Sequence, residues 1–337
     1  MSASSSTSSK PAVLIARAVF PEVTRRLAGH FEVESNHDDT VWPREEFSRR
    51  LHGKAGLFSS GGERIDAALL DAHPALRVVS NMSVGYNNID IEACNARGVL
   101  ATNAPGVLTE TTADLGFALM MATARRMAEA ERYLRSGQWT KWSFDLLTGS
   151  DVHGATLGIL GMGRIGQAIA RRGALGFGMR VIYHNRSRLP AADEAPLGAR
   201  YVSKQALLRD SDHLVLVVPY SAASHHAIGA AELAQMKPTA TLTNVARGGI
   251  VDDAALAVAL REGRIAAAGL DVFEGEPQVH SALLALPNVV LLPHIGSATE
   301  ATRRAMCGLA CDNLIAALGG AAPPTPINPQ VLPLRGA

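Results

Sequence analysis

The segment from Leu157 to Gly166 constrains the fold of this chain more than any other. The apolar run 157–160 predicts a buried strand, and it breaks at once into the glycine pattern G-x-G-x-x-G at residues 161–166. A helical pattern follows at 167–172, and a second apolar strand pattern follows at 180–184. A strand, a glycine-rich turn, a helix and a parallel strand together form the unit that binds the pyrophosphate of a dinucleotide.

The three glycines have separate roles in such a unit. Gly161 allows the tight turn, Gly163 lets the pyrophosphate approach the backbone, and Gly166 lets the helix pack on the strand. The N–H groups at the N-terminus of the helix then face the phosphates. The alternative is a glycine-rich turn without a ligand, but the order of the surrounding elements favours the dinucleotide site.

The residues after the second strand select between NAD and NADP. Where an NAD-binding unit has an acid for the ribose 2′-hydroxyl, this chain has Asn185, followed by Arg186, Ser187 and Arg188. An acid would repel a 2′-phosphate, whereas guanidinium groups bind phosphate with two hydrogen bonds. The segment predicts NADP(H) as the preferred cofactor and leaves NAD(H) open. The alternative is that the arginines lie in a solvent-exposed turn and bind no phosphate.

Length and charge limit the function classes. At 337 residues the chain is too long for one ordinary core, so we expect two domains. The net charge of +1 gives no electrostatic reason to expect nucleic acid or a membrane as a partner. Three cysteines suit a reducing, cytoplasmic location, and we interpret them as buried free thiols. The serine-rich residues 1–10 are expected to form a disordered tail.

Short strand patterns alternate with helical patterns, which predicts an α/β fold with parallel sheets covered on both faces. The expected strands lie at 12–16, 31–34, 56–58, 77–81 and 99–102, and then, after a break, at 156–160, 180–184, 213–218, 239–244, 266–271 and 288–292. One long helix is expected from Glu110 to Ser136, with Thr109 as its N-cap and an apolar first half that is buried in a core or against a second subunit. A helix at 300–318 is expected to return the chain to the first domain.

The segment 137–153 is irregular and carries Trp139, Trp142 and Phe144. A loop with three large aromatic side chains is expected to pack on another surface. We predict that this surface belongs to a partner subunit. Packing on the loop's own domain is the alternative.

Arg247, Glu276 and His294 each come shortly after one of the last three predicted strands. In an open parallel sheet the carboxyl ends of the strands meet at one edge, where the ligand binds. We therefore expect a cation, a carboxylate and an imidazole to converge beside the dinucleotide. Each of the three alone has a structural explanation, as a helix cap, a surface charge or a loop histidine.

This combination suits hydride transfer to a 2-keto acid. The alkoxide formed at C2 needs a proton and nearby positive charge, and His294 can supply the proton because an imidazole titrates near neutral pH. Glu276 can hold the ring through its other nitrogen. Arg247 can bind the substrate carboxylate and polarise the carbonyl. Asp271 is a candidate for the nicotinamide amide, with a cap on the following turn as the alternative.

Other loops offer weaker candidates. The N–H groups of Val84 and Gly85 follow a strand and are candidates for binding a carboxylate, and the turn at 57–62 is a second such loop. His225 and His226 have no acid or thiol at ligand spacing nearby in the sequence, so we assign them to a polar loop and predict no metal site.

Six segments together resemble the D-isomer-specific 2-hydroxyacid dehydrogenases. The matching segments are 83–90 (SVGYNNID), 103–119 (NAPGVLTETTADLGFAL), 158–166, 244–252 (NVARGGIVD), 269–277 (GLDVFEGEP) and 293–299 (PHIGSAT). Within that family the chain looks most like the glyoxylate/hydroxypyruvate reductases and the 2-ketogluconate reductases.

The resemblance implies a homodimeric NADP-preferring reductase of small 2-keto acids, with Arg247, Glu276 and His294 as catalytic residues. It implies two doubly wound domains, a flavodoxin-like substrate domain (11–106 with 298–330) and a Rossmann domain (107–297). The implied substrate contacts are Val84 and Gly85, besides Arg247 and His294. Leu57, at the start of the second candidate loop, is a further candidate for substrate binding. The implied cofactor contacts, besides the glycine turn and residues 185–188, are Thr112, Arg164, Ile165, Pro219, Ala246, Asp271 and Gly296.

Three alternatives to an NADP-preferring reductase of small 2-keto acids remain open. The first is a 2-ketogluconate reductase, and the second is another NAD-linked D-2-hydroxyacid dehydrogenase. The third is a catalytically idle nucleotide-sensing module of the kind found in transcriptional corepressors. An intact set of catalytic residues does not exclude the module but gives no reason to prefer it.

Overall fold

The computed structural model describes residues 10–335 and contains two parallel β-sheets. The strands are β1 Ala12–Ile15, β2 Glu32–Ser35, β3 Gly56–Ser59, β4 Val78–Asn81, β5 Leu100–Thr102, β6 Thr156–Leu160, β7 Arg180–His184, β8 Arg200–Tyr201, β9 His213–Leu216, β10 Thr241–Asn244, β11 Ala267–Leu270 and β12 Val289–Leu291.

Helices connect these strands. They are α1 Pro21–His30, α2 Arg44–Leu51, α3 Ala67–Ala72, α4 Ile91–Ala96, α5 Thr109–Ala124, α6 Met127–Arg135, α7 Arg164–Arg171, α8 Ala191–Glu194, α9 Lys204–Asp210, α10 Ala230–Leu233, α11 Asp253–Arg261, α12 Ser281–Leu284 and α13 Glu300–Leu318. A π-helical turn at Arg172–Gly176 extends α7, and short 3-10 segments lie at Ala195–Leu197 and Pro329–Arg335. None of the helices in the described part of the chain combines the length and apolar character that crossing a bilayer requires.

Polar residues start several of these helices, as local sequence rules predict. The side chains of Asp66, Asp90, Ser203 and Asp252 each accept a hydrogen bond from a first-turn N–H group of the helix that follows, and Thr299 does the same for α13. Each bond satisfies an N–H group that has no partner inside the helix.

The first compact unit runs to Leu108 and includes the residues from Thr299 onward. Its sheet has the strand order β2-β1-β3-β4-β5, which is the flavodoxin-like order. Apolar clusters cover both faces of the sheet. Helix α13 belongs to this unit, where the Ser80 hydroxyl on β4 donates a hydrogen bond of 2.7 Å to the Ala310 carbonyl.

The second compact unit covers Thr109–Ala298. Its sheet has the order β12-β11-β10-β9-β6-β7-β8. Counted from β6, this is the Rossmann order 3-2-1-4-5-6 with a seventh strand at the β12 edge. The predicted fold class, two doubly wound parallel-sheet domains, is confirmed.

The short strand β8 was not predicted. It contains only Arg200 and Tyr201 and pairs in parallel with the middle of β7. Two residues carry no readable hydrophobic period, so only the pairing with β7 reveals this strand.

The prediction of one helix from Glu110 to Ser136 was wrong. The chain forms α5 and α6 with a break at Arg126, whose φ of 54° is left-handed. The carbonyl oxygen of Ala124 accepts a hydrogen bond from the N–H of Ser150, and the Arg126 guanidinium pairs with Glu129. The segment that contains Ser150 thus forms a hydrogen bond to a carbonyl near the C-terminus of α5, and the helix is interrupted at that point. Thr109, predicted as the N-cap, is the first residue of α5.

The predicted disordered tail lies outside the described residues, except for Lys10. The Lys10 ammonium donates hydrogen bonds of 3.0 Å to the carbonyls of Ala28 and Gly29 near the C-terminus of α1. A cation is favourable there because the helix dipole is negative at that end. Lys10 therefore belongs to the ordered first unit.

Candidate functional site

The loops that follow β10, β11 and β12 carry the predicted catalytic residues. Parallel pairing aligns these three strands, so their carboxyl ends share one edge of the second sheet. Arg247 lies just after β10, Glu276 after β11 and His294 after β12. This is the edge where ligands bind in folds of this class.

His294 and Glu276 form a direct hydrogen bond. Nδ1 of His294 lies 2.7 Å from Oε2 of Glu276, and the other carboxylate oxygen accepts a 2.8 Å bond from the Phe273 N–H. A carboxylate only accepts, so the proton of this bond is on Nδ1 and the ring is oriented with Nε2 on its other side. The backbone of His294 has a left-handed φ of 53°, and its side chain is 46% exposed.

Two opposing effects act on the pKa of Glu276. Burial alone would raise it, but the hydrogen bonds from His294 and from the Phe273 N–H, together with the nearby charge of Arg247, lower the pKa below its usual value. Glu276 therefore remains a carboxylate at neutral pH and keeps its hydrogen bond to the imidazole of His294.

The Arg247 loop packs directly on the Glu276 loop. A Cβ added at Gly248 would lie 1.7 Å from the Phe273 carbonyl oxygen, so only glycine permits this approach. One guanidinium nitrogen of Arg247 donates to the Ala246 carbonyl at 2.7 Å. Burial lowers the pKa of Arg247, and the charge of Glu276 acts in the opposite direction. A cation and a carboxylate–imidazole pair therefore lie together at this edge.

Asp271 organises the turn beside His294. Its two carboxylate oxygens accept hydrogen bonds of 2.8 Å from the N–H groups of Ile295 and Gly296, and burial raises its pKa. A Cβ at Gly296 would lie 3.2 Å from Asp271 and 3.4 Å from Thr112 on α5. The three predicted cofactor residues Thr112, Asp271 and Gly296 are thus neighbours. The turn-capping role considered for Asp271 is present, and its contact with a nicotinamide stays a prediction.

The glycine turn has the geometry that a pyrophosphate needs. Gly161 has a φ of +102°, which favours glycine, and a Cβ at Gly166 would lie 2.4 Å from the Gly161 carbonyl oxygen. At Gly163, by contrast, a Cβ would meet nothing within 4 Å. The space at Gly163 lies at the N-cap of α7, whose first-turn N–H groups have no partner within the helix. These features fit a dinucleotide phosphate.

Two alanine substitutions separate the structural glycine from the ligand-facing one. We expect Gly163→Ala to leave the free energy of unfolding nearly unchanged and to weaken NADPH binding about 10-fold or more, since bonds to charged groups contribute about 1.5–3 kcal/mol. Gly166→Ala should instead lower the free energy of unfolding by about 1–3 kcal/mol, because the added methyl group overpacks the turn. Urea unfolding and fluorescence titration measure both quantities. NADPH binding to Gly163→Ala at the parent's affinity would contradict the assignment.

The turn after β7 is connected to the glycine turn. The Asn185 side-chain oxygen accepts a 2.7 Å hydrogen bond from the Met162 N–H. Arg186 and Ser187 are exposed, and Arg186 makes no ion pair or hydrogen bond to any residue in the range 10–335. Its guanidinium group is therefore available to a phosphate.

Arg188 has a different environment from the one that the sequence suggested. Its Nε and one terminal nitrogen donate to the carboxylate of buried Glu194 at 2.9 and 2.6 Å. The Arg188 guanidinium and the Tyr183 hydroxyl lower the pKa of Glu194 to about 2. Two nitrogens of Arg188 are thus engaged within the protein. Glu194 was not predicted as a partner of Arg188, because it lies six residues further on with no motif to mark it.

The remaining predicted cofactor residues of the second unit lie around the same strand ends. Ile165 is half-buried, Arg164 and Pro219 are exposed, and Ala246 is buried with its N–H bonded to the Asn244 side chain at 3.0 Å. Their contacts with a cofactor stay predictions.

The predicted substrate residues of the first unit differ in exposure. The carbonyls of Val84 and Gly85 accept hydrogen bonds from Asn103 and Asn81, while their N–H groups make none within the described chain. Leu57 lies inside β3 and is completely buried, so it presents no surface to a substrate, and the turn that follows begins at Ser60. Substrate binding by Val84 and Gly85 stays a prediction.

Comparison with known proteins agrees with this geometry. Residues 117–296, just over half of the chain, match the family model described as "D-isomer specific 2-hydroxyacid dehydrogenase, NAD binding domain". The chain belongs to the D-isomer-specific 2-hydroxyacid dehydrogenase family. The resemblance stated from the sequence motifs is therefore confirmed.

Relatives within the 2-hydroxyacid dehydrogenase family match over nearly the whole chain. A glyoxylate reductase from Thermococcus onnurineus is 49% identical, covering 97% of this chain and 98% of that protein. A glyoxylate/hydroxypyruvate reductase B from Klebsiella pneumoniae is 46% identical, covering 96% and 99%. A crystal structure of an NADPH-dependent glyoxylate/hydroxypyruvate reductase from Sinorhizobium meliloti, in complex with NADP and malonate, superposes with a TM-score of 0.83 at 38% identity, covering 95% and 97%.

Proposed function

We propose that this protein catalyses the NADPH-dependent reduction of a small 2-keto acid, glyoxylate or hydroxypyruvate, to the D-2-hydroxy acid. The observation that carries the proposal is the 2.7 Å bond between His294 and Glu276, in loops packed beside Arg247 at the strand ends next to the glycine turn. The names of the relatives in Thermococcus and Klebsiella support the choice of substrate.

The roles of the three residues follow from their chemistry. A bound nicotinamide supplies the hydride that reduces the carbonyl carbon. His294 donates a proton from Nε2 to the substrate oxygen, while Glu276 holds the ring in place through Nδ1. Arg247 binds the substrate carboxylate with its fork of N–H donors and places positive charge beside the carbonyl oxygen.

We propose NADP(H) rather than NAD(H) as the preferred cofactor. The exposed guanidinium of Arg186, next to the neutral Asn185, supports this choice. A 2′-phosphate gains a charge-assisted bond there and meets no carboxylate at position 185. Since Glu194 engages Arg188, Arg186 carries most of the predicted phosphate contact.

The substitution Asn185→Asp tests the cofactor preference. An aspartate keeps the acceptor for the Met162 N–H but places a negative charge where we propose the 2′-phosphate binds. We expect the ratio of kcat/KM for NADPH over NADH to fall by about 10- to 100-fold, the scale of one bond to a charged group. Arg188→Ala serves as the comparison and should change the ratio less than Arg186→Ala. An unchanged ratio in Asn185→Asp would refute the proposed phosphate position.

Initial rates test the reaction itself. NADPH and NADH oxidation are measured with glyoxylate, hydroxypyruvate and 2-ketogluconate. Turnover with either of the first two, faster with NADPH, is the expected result. A preference for 2-ketogluconate would identify a 2-ketogluconate reductase, and a preference for NADH would identify an NAD-linked D-2-hydroxyacid dehydrogenase. Tight cofactor binding without turnover on any substrate would favour the nucleotide-sensing module.

We further propose that the protein forms a homodimer through the aromatic loop. Trp139, Trp142 and Phe144 are 53%, 74% and 89% exposed, so their own unit leaves more than half of each residue uncovered. Met127 and Leu134 on α6 are also more than half exposed. Such a group of large apolar side chains is typical of a subunit interface.

The substitution Trp142→Ala tests this interface. Buried interface tryptophans are often worth 2 kcal/mol or more, and a homodimer carries the change in both subunits, so we expect the dissociation constant of the dimer to rise at least about 30-fold in sedimentation experiments. Leu175→Ala, at another exposed apolar residue of the same unit, is the matched control and should leave it unchanged. A monomeric parent protein, or equal association in Trp142→Ala, would contradict the proposal. If Trp142 also reaches the substrate pocket of the partner subunit, Trp142→Ala should change the kinetics with substrates of different length. Kinetics unchanged from the parent across those substrates would exclude such a contact.

A further inference from the structure

The two adjacent histidines of the second unit do not form the simple polar loop that the sequence suggested. The Nε2 atom of His226 lies 2.8 Å from Oε2 of Glu274, a residue 48 positions further along the chain. One ring nitrogen of His225, one of His226 and a carboxylate oxygen of Glu274 all lie within 4.8 Å of one another. The acid that appeared to be missing is supplied by the loop after β11.

We propose that His225, His226 and Glu274 form a binding site for a divalent transition-metal ion, with Zn²⁺ as the best match. Imidazole nitrogens and carboxylate oxygens are the ligands that Zn²⁺ takes, at about 2.0–2.2 Å. Tetrahedral ligands at that bond length are about 3.4 Å apart. Small rotations of the three side chains therefore convert the present cluster into a coordination shell.

The local backbone places both imidazoles on one side. Consecutive residues of extended chain point in opposite directions, but His226 has a left-handed φ of 49°. As a result the two rings stack with centroids 3.9 Å apart and an interplanar angle of 23°. The hydroxyl of Tyr220 lies 3.2 Å from Nδ1 of His225 and orients that ring.

The two segments that carry the ligands are held to a common support. The N–H of His226 donates to the Gly249 carbonyl at 2.7 Å. On the other side, the N–H of Glu274 donates to the buried carboxylate of Asp253 at 3.1 Å. Because the backbone on both sides is held by hydrogen bonds and only the three side chains need to move, little ordering entropy opposes binding.

The carboxylate of Asp252 lies near His226, on the side where a metal-binding histidine usually has an outer hydrogen-bond partner. One of its oxygens caps α11 through the Ala255 N–H at 2.9 Å, and the other lies 4.0 Å from Nδ1 of His226. A carboxylate behind the second ring nitrogen fixes the orientation of a ligating histidine and increases its basicity. With His226 coordinating through Nε2, Asp252 occupies that position.

Titration with metal ions alone tests the site, on full-length protein without a histidine tag and without cofactor or substrate. We expect one Zn²⁺ per chain by calorimetry, a visible Co²⁺ spectrum of intensity typical of a tetrahedral site, and a higher Tm with Zn²⁺. His226→Ala and Glu274→Gln should each weaken binding at least 10-fold, and Asp252→Asn by about 10- to 100-fold. His37→Ala, at an exposed histidine of the first unit, should bind as the parent does.

Two results would overturn the proposal. One is Zn²⁺ binding that is equal in the parent, His226→Ala and Glu274→Gln, because the ion would then bind elsewhere. The other is the absence of saturable binding to the parent at millimolar Zn²⁺. If His226→Ala does not fold, Glu274→Gln still tests whether Zn²⁺ binds at this site, because it changes only one exposed side chain. Binding is measured without turnover, so the result is independent of the proposed reductase activity.

Discussion

Replacement of His294 by alanine is expected to lower kcat for glyoxylate reduction by about 10³-fold, within the 10²–10⁴ range typical of a general acid. Nδ1 of His294 is held by Glu276, so Nε2 is the proton donor in the proposed reaction. Alanine removes the donor, and the developing alkoxide must take its proton from water. Steady-state kinetics with NADPH and glyoxylate measure the loss.

The control for His294→Ala is His153→Ala, at an exposed histidine of the same unit that lies in none of the strand-end loops. It should retain the parent's kcat. Fluorescence titration should show nearly unchanged NADPH affinity in His294→Ala, because the imidazole serves the proton transfer and not the dinucleotide. A loss of kcat smaller than 10-fold would exclude His294 as the proton donor.

Replacement of Arg247 by methionine is expected to have the second-largest effect, a fall in kcat/KM of about 10²–10³-fold, comparable to removing a donor at a developing oxyanion. Methionine keeps an unbranched apolar chain but removes the charge and the planar fork. The substrate then loses both the partner for its carboxylate and the positive charge beside its carbonyl oxygen. Separate determination of kcat and KM shows how the loss divides between binding and chemistry.

Arg247→Lys is the matched variant for this second prediction. It keeps the charge without the fork of paired donors, so its kcat/KM should lie between those of the parent and Arg247→Met. Equal kcat/KM in the methionine variant and the parent would show that Arg247 does not contact the substrate. NADPH affinity that falls with kcat/KM would instead indicate a structural role in the loop after β10.

The elements with a strong local pattern could be predicted from the sequence. Strand β6 and helix α13 begin and end where the sequence pattern placed them. The break between α5 and α6 could not, because residues 124–129 are all good helix formers, whereas in the structure the carbonyl of Ala124 accepts a hydrogen bond from the N–H of Ser150. A hydrogen bond formed across 26 residues leaves no mark on the local periodicity.

The candidate site shows the same division. The convergence of Arg247, Glu276 and His294 follows from one topological rule, that parallel strands end at a common edge. The pairing of Arg188 with Glu194 and of His226 with Glu274 follows no such rule. A carboxylate can reach a cation from many positions in the chain, and a sequence does not specify which one it reaches.

The fold class, the dinucleotide-binding unit and the residue types at the strand ends could be predicted from the residues alone, because these depend on short-range periodicity and on glycine positions that few residues can replace. Which charges pair with one another depends on the folded chain. Within the described chain Arg188 pairs with Glu194, whereas Arg186 makes no ion pair or hydrogen bond, and Glu274 reaches His226. Such contacts depend on Å-scale distances between segments far apart in sequence, which only the folded chain sets.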